Sequence, residues 1–79
     1  MMKIQILGTG CMKCENLYKN AQQATSDSGV ECQIEKITDI TQIISFGVAM
    51  TPALAIDGIV KIVGKVASVD EIKELLTQD

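Results

Sequence analysis

Seventy-nine residues allow one small domain with a modest core and leave no room for a second. Apolar residues make up 47%, yet Tyr18 and Phe46 are the only aromatics, so the core must be built from Ile, Val, Leu and Ala. A net charge of −3 excludes electrostatic docking on nucleic-acid phosphates, and no apolar run approaches the roughly 20 residues that span a bilayer. No basic, apolar and small-residue succession opens the chain, so the expected compartment is the reducing cytoplasm. Three cysteines are too few and odd in number for a disulfide scaffold, and without histidine any metal site would rest on thiolates and carboxylates.

From Met2 to Leu7 the chain alternates and is rich in Ile, which predicts a strand. Gly8-Thr9-Gly10 is a tight loop, and Cys11-Met12-Lys13-Cys14 follows at the mouth of a helix predicted over Glu15 to Ser28. Cys14, Leu17, Ala21, Ala24 and Ser28 recur at spacings of three and four, a narrow stripe of mostly small residues for the sheet. Cys14 therefore points inward, while Cys11 sits where a partner can reach it. Unpaired N–H groups and the partial positive charge of a helix N-terminus favour thiolate over thiol. Two intervening residues set the sulfurs about one turn apart, near enough for a disulfide. This is the pattern of reversible dithiol–disulfide chemistry.

Gly29 is a candidate helix C-cap. Glu31 to Ile37 predicts a second strand with Cys32 and Ile34 on one face and Glu31, Gln33 and Glu35 on the other, which suits a sheet edge. The intervening helix makes the two strands parallel through a right-handed crossover. Thr38-Asp39 can cap a short helix over Ile40 to Phe46, with apolar positions Ile40, Ile43 and Ile44, ended by Gly47. The apolar loop Val48-Ala49-Met50-Thr51 stops at Pro52, the only proline. Ala53 to Ile56 reads as a strand, Asp57-Gly58 as a two-residue hairpin turn, and Ile59 to Val63 as the returning strand, broken by Gly64. Ser68-Val69-Asp70-Glu71 has the capping-box form, and Ile72, Leu75 and Leu76 make the inward stripe of the last helix.

The order β-α-β-α-β-β-α, a four-stranded mixed sheet flanked by three helices, resembles the thioredoxin/glutaredoxin fold. The chain is most similar to the small thioredoxin-like proteins called redox-active disulfide proteins. Cys11-x-x-Cys14 after the first strand, Thr51-Pro52 before the third, Ile56-Asp57-Gly58 in the hairpin and Ser68 to Glu71 carry the resemblance. It implies one α/β domain over residues 1–79 and a thiol–disulfide oxidoreductase acting on protein or small-molecule disulfides. Cys11 would be the attacking nucleophile and Cys14 the resolving thiol. The redox-active disulfide itself would serve in place of any cofactor. The resemblance further implies a cis Thr51–Pro52 bond beside the disulfide, with Thr51 offering backbone hydrogen bonds to an extended substrate. A proline that merely opens a strand is the alternative.

Lys13 adds a positive charge near the cysteines, Met12 an apolar contact, and Glu15 opposes by favouring the neutral thiol. Met12 and Met50, with Val48 and Ala49, form either an apolar docking rim or ordinary loop packing. Gly64 stands alone where many glutaredoxins have Gly-Gly, and completes the expected substrate-contacting set of Met12, Lys13, Met50, Thr51, Pro52 and Gly64. A parallel second strand places Cys32 roughly 15 Å from Cys11, too far for a disulfide or a shared metal. Gln5 stands where ordinary thioredoxins carry a buried acid, removing a candidate proton acceptor for Cys14. The Trp before the first cysteine, the Gly-Pro between the two and the Pro-Tyr of glutaredoxins are also absent. The expected electron donor is accordingly a thioredoxin-reductase-like protein rather than glutathione, and a monomer is expected.

The competing reading is a soft-metal carrier for Cu(I), Zn or Hg-type ions using the same cysteine pair. Such domains run βαββαβ and end in a strand, whereas a capped helix is predicted to end this chain.

Overall fold

A computed structural model of the chain describes residues 2–10 and 12–77. The elements are β1 (Met2–Leu7), α1 (Met12–Ser28), β2 (Cys32–Ile37), α2 (Ile40–Ser45), β3 (Ala53–Ile56), β4 (Ile59–Val63) and α3 (Val69–Thr77). They form a thioredoxin-like α/β fold with one mixed sheet in the order β2-β1-β3-β4. β1 is central and pairs parallel with β2, Leu7 opposite Ile37, and antiparallel with β3, Leu7 opposite Ala53. The C-terminal ends of β1 and β2 and the start of β3 therefore meet at one end of the sheet. The final α3 sets this order apart from the βαββαβ of metal carriers.

Alternation along β1 sends Ile4 and Ile6 to one face, where they join Leu17, Ala21 and Ala24 of α1, Leu54 and Ile56 of β3, and Ile72 and Leu76 of α3. Small residues on α1 let it lie close to the sheet, and α3 packs beside it. The opposite face carries a smaller cluster of Leu7, Ile37, Ala53, Val48 and Ile43, the last from α2. Ile40 and Ile44, the other two apolar positions of α2, are exposed. At six residues α2 presents little more than one turn to the sheet, and only Ile43 points down.

The ends of the elements follow local chemistry. Asp39 caps α2 by accepting from Thr41 N at 2.8 Å. The Ser68–Glu71 capping box forms with both hydrogen bonds, Glu71 N to Ser68 Oγ and Ser68 N to Glu71 Oε1, each at 3.1 Å. Asp57 and Gly58 both adopt positive φ, 51° and 84°, the combination that a tight hairpin turn requires. The register shifts between Leu54 and Ala55, so that Lys61 bulges out of the β3–β4 ladder. Three boundaries differ from the sequence expectation: β2 starts at Cys32 and not Glu31, α2 ends at Ser45 and not Phe46, and α1 begins at Met12 and not Glu15, so Cys14 lies inside its first turn. Among the described residues no helix is long and apolar enough to cross a membrane.

Candidate functional site

The site end of the sheet is built around Gly8. Its N–H donates to Ile37 O at 3.0 Å, extending the β1–β2 ladder one residue beyond Leu7. A Cβ placed on Gly8 would overlap Cys14 Sγ, stand 3.1 Å from Cys14 Cβ and come within 4.0 Å of Pro52 Cα. The Cys14 side chain and, more distantly, Pro52 thus both border the space that a Gly8 side chain would occupy. The φ of Gly8 is outside the left-handed region, so here glycine is needed for the close approach and not for a turn. Cys14 is buried in the first turn of α1.

The residues singled out from the sequence separate into three groups. Cys11, the expected nucleophile, lies outside the described residues. Cys14, Pro52 and Gly64 are drawn together: the Thr51–Pro52 bond is cis, Pro52 is fully buried, and Gly64 N donates to Pro52 O at 2.8 Å. Gly64, at φ 74°, also faces Met50, whose Cε, Cβ and Sδ lie 3.4–3.6 Å from where a Cβ would be. Met12, Lys13, Met50 and Thr51 are exposed around this centre, Met12 at 82% and Met50 at 62%. Of the apolar loop, Val48 turns into the smaller core cluster while Ala49 stays at the surface, so packing and rim share the segment. A groove of about 420 Å³ runs beside it between Thr9, Thr51, Ala49 and the exposed Ile40 and Ile44 of α2.

A smaller cavity of about 110 Å³ is bounded by Gly8, Cys14, Glu15, Lys36 and Thr38. Lys36 Nζ lies 3.0 Å from Glu15 Oε1 and 4.4 Å from the centre of the Tyr18 ring. Both contacts hold the ammonium over the start of α1, a cation–π contact and an ion pair on one head group. The alternation of β2 puts Lys36 on the face of Cys32 and Ile34. A charge on that otherwise apolar row is the signal in the sequence that this lysine has a partner at the helix.

Cys32 pairs with Met2 at the far end of the sheet, as a parallel second strand demands. Burial, then the negative charge of Asp57, pushes its thiol above the ordinary value. Gln5 is buried, and its Oε1 accepts from Gly58 N at 3.1 Å, so it ties the β3–β4 turn to β1 at that same far end. Among the described residues no group of three or more Cys, Asp or Glu side chains could hold a metal ion.

A family profile described as a thioredoxin domain matches residues 2–77. The chain is 49% identical over 77 residues to a thioredoxin of Methanothermobacter thermautotrophicus, covering 98% of this chain and 100% of that protein. It is 42% identical over 76 residues to a thioredoxin of Methanocaldococcus jannaschii, covering 96% and 87% respectively.

Proposed function

The chain belongs to the thioredoxin family, and from that membership we propose that Cys11 and Cys14 form a dithiol–disulfide couple that reduces disulfides of protein substrates and of small molecules. The observation that carries this reading is the seating of Cys14. Its side chain is buried in the first turn of α1, where Sγ lies against Gly8 and Pro52 Cα approaches the same open position on that glycine.

In the reductive direction the Cys11 thiolate attacks one sulfur of a substrate disulfide, forming a mixed disulfide and releasing the first substrate thiolate, which takes a proton from solvent. Cys14 then loses its proton and attacks Cys11 Sγ. The Cys11–Cys14 disulfide forms, the mixed disulfide breaks, and the second substrate thiol leaves; two electrons have passed from the protein to the substrate. Met12, Lys13, Met50 and Thr51 would meet the substrate at the surface, with Pro52 and Gly64 as the floor between them. Re-reduction is assigned to a thioredoxin-reductase-like donor.

The test is equilibration in graded dithiothreitol redox buffers, alkylation and intact mass, with metal analysis of the same sample. A metal-free two-electron exchange confined to Cys11 and Cys14, at about −200 to −300 mV, is expected. Thiols that form no disulfide under mild oxidation, or that are shielded by bound metal, would overturn the reading.

A further inference from the structure

Resolution of the mixed disulfide requires a buried thiol to lose its proton, and β1 supplies no acceptor for it. Gln5 is an amide, and its side-chain oxygen is committed to Gly58 at the far end of the sheet. Among the described residues, Glu15 is the one carboxylate that lines the cavity bounded by Cys14. That cavity, about 110 Å³, has room for two or three waters at about 30 Å³ each, enough for a single-water relay. Lys36 holds the carboxylate in place at 3.0 Å and is itself held over Tyr18.

We propose that Glu15, oriented by Lys36, is the proton acceptor for Cys14 during resolution. The inference rests on the function proposed above. The Cys14 S–H proton passes to the Glu15 carboxylate, directly or through one water. The resulting thiolate attacks Cys11 Sγ, and the departing substrate sulfur is protonated by the Glu15 carboxylic acid or by solvent. Among the described residues, the charged groups that share the cavity with Cys14 are Glu15 from α1 and Lys36 from β2, with Tyr18 beneath Lys36; Lys13 is exposed. Ile6 of β1, Gly8 just after it and Pro52 just before β3 also lie close, and none of them titrates.

The role has a signature that a passive neighbour lacks. A static carboxylate beside a thiol disfavours the thiolate, so removing it would lower the Cys14 pKa and speed resolution. Removing a proton acceptor lowers the same pKa but slows the step. The experiment mixes the reduced protein, carrying Cys32→Ala throughout, with oxidised glutathione as the probe disulfide, quenches with acid and weighs the intact chain.

In Glu15→Gln the glutathione mixed disulfide is expected to decay roughly 10- to 100-fold more slowly at pH 7, the deficit closing as the pH rises. Glu15→Asp should recover most of the rate. The pH profile of Cys14 alkylation, read in Cys11→Ser with Cys32→Ala, should move down in Glu15→Gln. Lys36→Gln breaks the same ion pair but keeps the carboxylate, and should slow decay less. Unchanged or faster decay in Glu15→Gln, or equal slowing in Glu15→Gln and Lys36→Gln, overturns the proposal while leaving the oxidoreductase reading intact. A parent protein that forms neither a mixed disulfide nor a Cys11–Cys14 disulfide overturns both.

Discussion

Replacing Gly8 with alanine tests whether the contact between strand end and cysteine is as close as the structure draws it. Gly8 has a backbone angle that alanine tolerates, so without a steric conflict the substitution would stabilise by about 0.4–1 kcal/mol through the unfolded chain. Against this stands the added methyl, which would overlap Cys14 Sγ and press on its Cβ at 3.1 Å. Forcing that methyl in means rotating Cys14 or lifting the start of α1, and overpacking of this kind costs about 1–3 kcal/mol. The difference is a net loss of about 1–2 kcal/mol. For a chain this short, that lowers the thermal midpoint by roughly 5–15 °C.

The measurement is thermal or urea unfolding in reducing buffer, combined with Cys14→Ala in a double-mutant cycle. Without Sγ the overlap is gone and only the 3.1 Å contact with Cβ remains. The Gly8→Ala penalty should therefore shrink by at least about 1 kcal/mol in the Cys14→Ala background. A midpoint that rises by a few degrees in Gly8→Ala alone, or a cycle with no coupling, would refute the reasoning and the site geometry with it.

Other consequences are equally open to measurement. Hydrogen bonds from the Lys65 ammonium and from Ser68 hold the Glu71 carboxyl below its ordinary value. Its contribution to stability is therefore full above pH 4.5 and lost as the pH falls through its lower folded value; an acid melt of Glu71→Gln should lack that component. Ser68→Ala removes the other half of the cap and should cost about 1 kcal/mol by urea unfolding. Cys32, its thiol held above the ordinary value by burial and by Asp57, should alkylate more slowly at pH 7 than an unperturbed thiol; Asp57→Asn should speed it. Met12→Gln and Met50→Gln touch exposed side chains, so the melting curve should hold within about 0.5 kcal/mol. Their effect should appear as a raised KM for a protein disulfide and not for a small one.

Most of the frame was legible because its signals are local and repeat. The three-four spacing of Cys14, Leu17, Ala21 and Ala24, the Asp57-Gly58 turn and the Ser68–Glu71 box each act within a few residues, and each is found where it was expected. The start of α1 was not. Cys11-Met12-Lys13 offers no Ser, Thr, Asp or Asn cap ahead of Met12, and the apolar stripe begins only at Cys14, so periodicity could not see the first turn. Gly8 was equally opaque: a glycine in a Gly-Thr-Gly loop looks like turn chemistry, and only the approach of the Cys14 side chain from α1 reveals it as a packing requirement. The pairing of Lys36 with Glu15 spans 21 residues and depends on the parallel register that sets Lys36 opposite Ile6.

The uneven covering of the sheet explains why the reactive end is where it is. On the face under α2, β1 contributes Lys3, Gln5 and Leu7 in turn, opposite Gln33, Glu35 and Ile37 of β2. Only the last pair is apolar, and α2 with Val48 sits over it. The rest of that face on β1 and β2 is polar: Lys3 lies 3.9 Å from Glu35 across the strands, a surface pair worth little, and Gln5 satisfies the hairpin turn. A six-residue helix suffices because it need cover only one end, and that end is the one where Gly8, Cys14 and Pro52 meet. Covering so little leaves Ile40 and Ile44 in the open beside Thr51. The opposite face, by contrast, is closed along its length by α1 and α3. Stability is therefore drawn mainly from the α1–α3 side, and the α2 side is where side chains can be exchanged for substrate contact at small cost to the fold.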